Sequence, residues 1–296
     1  MSDLAERLCH PARDVTLEEL ASVWTEARVS AVIPGHADLA NDVVLLRRIR
    51  GGIGRVLLQS ASPEAIANTP CPWEPPCALD VLFREQGRAG ARGIPKPFVL
   101  SATRKGRDLV VTLTLFGFAV DWAPVAAHAL TAVLNQGIDW RGQRPGLFLP
   151  PARVGRVTTA GFDCIDPVPG RSRTEIEFVT PLMDETEDLL DRPTMILTRI
   201  AWRIAALAAW QGVRLIGDDG RLRADLDGVR CDTSQLKQLT AARHSGRGRR
   251  DFNVPALTGV LVINDPAPVV GVLLAIGQRT HVGKGAVEGF GRFVIN

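Results

Sequence analysis

The chain contains no tyrosine, and aromatic residues make up only 5% of its 296 positions. That absence removes the phenol group from any list of catalytic acids and bases. Lysine is scarce as well: arginine heavily outnumbers it, and Lys96 and Lys105 are the only lysines before residue 169. Cysteine is limited to Cys9, Cys71, Cys77, Cys164 and Cys231, an odd and widely scattered set that argues against a disulfide framework. Cys71 and Cys77 flank Pro-Trp-Glu-Pro-Pro and would make half of a zinc site, but no second Cys/His pair lies nearby to complete four ligands. The preferred reading is two thiols in a proline-stiffened loop, with no metal and no other cofactor. Long apolar runs are missing too. The longest, Met195 to Trp210, is interrupted by Arg199 and Arg203 and is too short to cross a bilayer. The N-terminus lacks a basic region followed by an apolar core. A cytoplasmic protein without a membrane partner is expected.

What is present concentrates at the C-terminal end. In His281-Val-Gly-Lys-Gly-Ala-Val-Glu-Gly-Phe-Gly-Arg-Phe-Val294, glycines occupy 283, 285, 289 and 291, interleaved with Lys284 and Arg292. Glycine adopts positive φ and exposes its backbone, so a polyanion can approach consecutive N–H groups while the two cations neutralise its phosphates. The pattern is not the nucleotide-binding P-loop, which needs G-x-x-x-x-G-K-[ST] between a strand and a helix. The formal charge of +3 is modest, but its distribution is not even. Lys237 to Arg250 holds five basic residues and no acid, namely Lys237, Arg243, Arg247, Arg249 and Arg250, with His244 among them. Arginine's planar fork suits phosphate, although coding bias would produce the same preference.

Hydrophobic periodicity organises the rest. A first strand is expected over 27–34 and a helix over 39–59, capped by Asn41 or Asp38, with Val43, Leu46, Ile49, Ile53 and Leu57 at helical spacing. Gly51, Gly52 and Gly54 weaken that helix and call for a close approach by a partner strand or by RNA. An irregular insertion follows over 63–76, within a broader insertion near 60–95. Strands over 97–102 and 108–120 make a hairpin, 123–134 is a helix opened by Pro124, and 155–159 is a further strand. After the linker-like 166–172, strands at 174–179, 236–242, 257–263 and 292–295 alternate with helices at 194–210 and 269–276. The β-α-β-β-α-β order is read twice, which makes an α+β chain of two tandem ferredoxin-like (RRM-like) domains, 1–168 and 169–296.

The ending resembles the Cas6 family, endoribonucleases that cut CRISPR precursor transcripts within the repeat. The similarity is carried by Leu273-Leu-Ala-Ile-Gly277-Gln-Arg-Thr-His281-Val-Gly-Lys-Gly285 and by Gly289-Phe-Gly-Arg-Phe293. Arg243-His-Ser-Gly-Arg247, Leu257-Thr-Gly259, Thr180-Pro-Leu182 before Asp191-Arg-Pro193, and Arg50-Gly-Gly-Ile-Gly-Arg55 follow the family's order over about two-thirds of the chain. The resemblance implies tandem ferredoxin-like domains, repeat RNA with a hairpin as the partner, and other subunits of a CRISPR effector as a second partner class. Because no strand carries the aromatic RNP signature, shape and phosphate recognition in a basic cleft is the expected mode. Its wall would be Arg55, Arg243, His244, Arg247, Arg249, Arg250, His281, Gly283, Lys284, Gly285, Gly289, Gly291 and Arg292.

Such enzymes need no metal, because the RNA's own 2′-hydroxyl attacks the neighbouring phosphate. The protein must align that oxygen, exchange two protons and stabilise the phosphorane. The family places a catalytic histidine early in its first domain, which implies His36, in Ile33-Pro-Gly-His-Ala. His36 is equally readable as an exposed loop histidine. His281 would touch the scissile phosphate or close the preceding helix, while His128 and His10 read as structural or terminal. The family's usual tyrosine is absent here. Some members of the wider group cleave slowly by alignment and arginines, which implies Arg47 and Arg50, with Arg48 and Arg55 also available on the first helix. Two other readings stay open: a non-cleaving RNA-binding subunit of a CRISPR effector, and a small-molecule enzyme whose glycines cradle a nucleotide phosphate.

Overall fold

The computed structural model describes residues 3–89, 92–139, 148–149, 158–160, 165–168, 172–184, 189–216, 226, 228–244 and 251–296. Its frame is two four-stranded antiparallel sheets, an α+β arrangement broadly consistent with ferredoxin-like architecture. The first is built from β1 (Glu26–Ile33), α1 (Val43–Leu58), β2 (Phe98–Lys105), β3 (Asp108–Phe116), α2 (Ala123–Gln136) and β4 (Thr158–Ala160), in the strand order β2-β3-β1-β4. The second uses β5 (Arg173–Met183), α3 (Thr194–Ala208), β6 (Arg230–His244), β7 (Asp251–Asn264), α4 (Pro268–Thr280) and β8 (Phe293–Ile295), in the order β6-β7-β5-β8. Each sheet thus places its first strand between its third and fourth.

Strand residues alternate between core and surface, as half-buried strands must. In β1, Ala27, Val29, Ala31 and Ile33 point inward, and β3 answers with Leu109, Val111, Leu113 and Leu115. Glu26 pairs with Phe116 at one end of the β1–β3 ladder and Ile33 with Leu109 at the other. Helix α1 begins at Val43, four residues later than expected. Its cap is Asp42, whose carboxylate accepts the N–H groups of Val44 and Leu45 at 2.9 and 3.1 Å. Its buried stripe is Leu45, Leu46, Ile49, Ile53 and Leu57. Gly52 lets the helix approach α2: a Cβ there would lie 2.7 Å from Val133 Cγ1. The expected strand or RNA neighbour is therefore replaced by a helix at Gly52 and by Phe83 at Gly54, while Gly51 faces open space.

Pro63–Ile66 forms a short helix where irregular chain was expected over 63–76, and Ala78–Phe83 forms another in the broader insertion. The linker-like 166–172 has no regular structure over 166–168, and 169–171 lie outside the described residues, as do 155–157 of the expected strand. The stretch Gly117–Gln136 is long and apolar enough to span a membrane by composition, but Ala126, Ala129, Leu130, Val133 and Leu134 are buried in the core.

The two sheets are tied through side chains and backbone alike. Gln211 receives the Thr25 N–H at 2.9 Å on its amide oxygen and donates to the Thr25 carbonyl at 3.0 Å. Arg279 of α4 pairs at 2.8 Å with Glu26 of β1, a carboxylate only 2% exposed that also accepts from Trp24 Nε1 at 3.0 Å. Arg279 thus serves the junction. Residues Arg13–Val15 form a parallel bridge to Val213–Leu215, so the start of the chain joins the second half.

Candidate functional site

Helix α4 ends at His281, whose φ of 59° turns the chain into the glycine loop. Gly283, Gly285, Gly289 and Gly291 all hold positive φ. The requirement is sharpest at Gly291, where a Cβ would fall 1.8 Å from the Val282 carbonyl oxygen, and at Gly289, where it would fall 2.2 Å from Leu46 Cδ1. Packing inside the protein alone thus accounts for both. Many N–H groups of the loop are also donated internally. Lys284 donates to the Met183 carbonyl at 2.9 Å, Gly291 to Pro181 at 2.8 Å, and Phe290 to Gly285 at 3.3 Å. Thr180 sits in the bulge of β5 between Phe178 and Leu182, and its hydroxyl donates to the Gly289 carbonyl while accepting the Arg292 N–H, both at 2.8 Å. The expected open cradle is a folded clasp, and its side chains carry what it presents.

Those side chains reach across to the first sheet. Glu288 lies in a single helical turn, Ala286–Glu288, beside α1. Its carboxylate stands 3.2 Å from Arg47 Nε and 3.7 Å from Arg50 Nη1. Arg50 also lies 5.2 Å from the Phe83 ring centroid, and its Nε is buried without a hydrogen-bond partner. Burial lowers the Arg50 pKa, with Glu288 opposing and Arg47 assisting. Lys96 is pushed down by burial and by Arg50, against a weaker pull from Glu85 and Glu288. On the same helix Arg48 and Arg55 are exposed, so α1 sorts its arginines onto two faces.

Arg292 makes the second bridge, donating from Nη1 to Asn41 Oδ1 at 2.8 Å, and burial lowers its pKa. Asn41 was a candidate helix cap. It instead holds φ of 61°, donates its N–H to the Ala102 carbonyl at 2.9 Å, and turns its side chain to Arg292. His36 opens the same connection, half-buried at the head of the Ala37–Leu39 turn. The β2–β3 hairpin fixes that turn: Gly35 N–H donates to Asp108 at 3.1 Å and Ala37 N–H to the Arg107 carbonyl at 3.2 Å.

His281 stands apart from this surface. The sequence suggests a ring at the mouth of the loop, but the residue is 3% exposed and its Nδ1 has no hydrogen-bond partner. Burial, then Arg203 and Arg292, lower its pKa from 6.5 to about 3, so the ring is neutral. In the unfolded chain it would take up a proton below about pH 6.5, which the folded chain refuses until about pH 3. Stability should fall on acidification through that window, by up to about 1.4 kcal/mol per pH unit. The urea midpoint measured from pH 7 to 4.5 should show that decline, with a shallower slope in His281→Gln.

The remaining sequence candidates make none of these bridges, although Ala241 and Val254 near the end of β6 and β7 pack with Phe290 of the clasp. Arg243 and His244 lie at the far end of the β6–β7 ladder, paired with Phe252 and Asp251. Arg247, Arg249 and Arg250 fall outside the described residues. Cys71 and Cys77 are both buried, with the Cys77 N–H 3.4 Å from Cys71 Sγ. Among the described residues no group of three His, Cys, Asp or Glu side chains is placed to hold a metal. Glu288, Asn41 and Lys96 were not singled out from the sequence for the site. Glu288 had a signal, being the lone acid among the glycines and cations of the loop.

A family model, AF_1859_N, described as an N-terminal domain, matches residues 47–149. No curated protein matches the sequence. Among solved structures, two Cas6 product complexes are each 18% identical, cover 92% of this chain and 99% of their own, and superpose with TM-scores of 0.54 and 0.55. A Thermus thermophilus Cas6 is 16% identical with the same coverage and a TM-score of 0.50. The chain shares the fold of these Cas6 structures. At 92% of this chain covered, the likeness concerns most of the arrangement and not one half of it.

Proposed function

We propose that this protein is a metal-independent endoribonuclease that cuts CRISPR precursor RNA within the repeat and retains a hairpin at the 3′ end of the product. One observation carries the reading. On a Cas6 fold, Arg47 and Arg50 of α1 meet the glycine clasp through Glu288, while Arg292 of the clasp reaches the connection that bears His36. The two halves are taken as tandem ferredoxin-like (RRM-like) domains, 1–168 and 169–296, and the junction between them as the RNA cleft.

The chemistry follows from the groups present. The 2′-hydroxyl attacks the adjacent phosphorus, the bond to the 5′-oxygen breaks, and the products carry a 2′,3′-cyclic phosphate and a 5′-hydroxyl. His36 exchanges a proton with one of these oxygens, as imidazole does near neutral pH. Lys96, its ammonium made more acidic by burial and Arg50, is the second proton-exchanging group in a chain without tyrosine. Arg47 and Arg50 stabilise the phosphorane charge as fixed cations, since guanidinium does not deprotonate in the working range. Lys284, Arg55 and the basic β6–β7 end hold flanking phosphates.

Cleavage of a cognate repeat hairpin should proceed undiminished in EDTA and yield a 5′-hydroxyl end, read by whether polynucleotide kinase labels the product without prior phosphatase. Activity that vanished in EDTA and returned with Mg²⁺ would overturn the mechanism. Tight hairpin binding without any cut would favour the RNA-binding effector subunit instead.

A further inference from the structure

At the Glu26–Phe116 end of the first sheet, opposite the end that bears His36, lies a cleft of about 660 Å³. The eight residues of β1 separate the two ends by roughly 25 Å. Trp73, Trp122 and Phe118 line the cleft together with Arg7, Glu74 and Asp121. Trp73 is 48% exposed. Its neighbours are already engaged: Trp122 Nε1 donates to the Pro76 carbonyl at 2.9 Å, and Phe118 packs at a tilt against Trp210, ring centroids 5.0 Å apart. A second hollow of about 290 Å³ adjoins the first and shares Arg7, Phe118 and Asp121 with it, with Gly117, Trp210 and Gln211 among the rest of its wall. Arg7 therefore stands between two hollows, its guanidinium 4.1 Å over the Phe118 ring and its residue exposed to solvent.

We propose that these hollows form a subsite for unpaired RNA, with one base against Trp73 and the phosphate linking it to the next nucleotide at Arg7. This rests on the RNA reading above and adds a contact remote from the cleaved step. A duplex buries its bases and offers no ring to Trp73, so the ligand is a single strand. Stacking on Phe118 leaves the guanidinium edge free for a phosphate oxygen. The carboxylates of Glu74 and Asp121 accept from exocyclic amino groups and disfavour a second phosphate in the cleft itself.

The test uses the full chain and three RNAs: the bare repeat hairpin, and the same hairpin with an unpaired extension on its 5′ or its 3′ side. Trp73→Ala should weaken binding of one extended RNA by about 5- to 150-fold, leave the bare hairpin unchanged, and be rescued in large part by Trp73→Phe. Arg7→Gln should flatten the salt dependence of that RNA by about 0.7 in log K against log[salt]. Equal affinities of Trp73→Ala and the parent for all three RNAs, or an equal loss on the bare hairpin, would overturn the subsite. If the parent bound no hairpin at all, the nuclease reading would fall by itself. The cleft would then be judged with single-stranded oligoadenylate. Saturable fluorescence quenching lost in Trp73→Ala supports the subsite, and no quenching overturns it.

Discussion

His36→Ala should lower the single-turnover rate of repeat cleavage by about 10²- to 10⁴-fold while leaving RNA affinity within about threefold of the parent. The expectation follows from position as much as from residue type. His36 lies half-buried in a turn fixed by Asp108 and Arg107, in the connection that ends at the Arg292–Asn41 bridge. Its side chain makes no capping hydrogen bond to the turn that it opens, so truncation removes a proton carrier without unravelling the turn. A rate within about threefold of the parent would remove His36 from the chemistry and leave Lys96 and the cations of α1 as the apparatus.

The second large effect is expected from those cations. Replacing Arg47 and Arg50 together by alanine should cost about 10²- to 10³-fold in cleavage at saturating RNA, the range for deleting preorganised charge at a transition state. Lysine at both positions should recover only part, because a point charge does not reproduce the guanidinium fork. Glu288→Gln tests the same cluster from the other side. It removes the carboxylate now standing 3.2 and 3.7 Å from the two guanidinium groups. Hairpin affinity should rise, and its salt dependence should steepen by about 0.7 to 0.9. If Glu288→Gln weakened binding and the double alanine variant cut normally, the cluster would be a structural tie between the halves.

Several of these features were legible in the sequence, for reasons that differ by element. A short branched apolar run marked β1, alternation marked β3 because one of its faces is core, and helical spacing marked α1 and α3 because Leu46, Ile49 and Ile53, or Ile196, Ile200 and Ile204, form continuous buried stripes. Strands β6 and β7 were foreseen only over 236–242 and 257–263. They extend over Arg230–His244 and Asp251–Asn264, because their ends are polar and paired through backbone groups that leave no hydrophobic trace. The glycine positions showed where positive φ was needed, but not that Leu46 and the Val282 carbonyl occupy the space a Cβ would take. Asn41 looked like a cap because Asx residues favour caps, and the true cap is its neighbour Asp42. His281 was read either as a phosphate contact or as the closure of the preceding helix, and it occupies the C-cap of α4. Its burial depends on packing between distant segments, which includes Arg203, and local residue types do not record that.

The parallel bridge of Arg13–Val15 to Val213–Leu215 has a further meaning when set beside the clasp at the other terminus. The beginning of the chain belongs by contact to the second half, and the end of the chain leans on the first. The halves are exchanged at both ends, like two hands each holding the other's wrist. A single proteolytic nick in the connection around 166–168 would therefore not release two particles. The severed pieces would co-migrate, and fragments expressed separately would find one another through surfaces that neither covers alone.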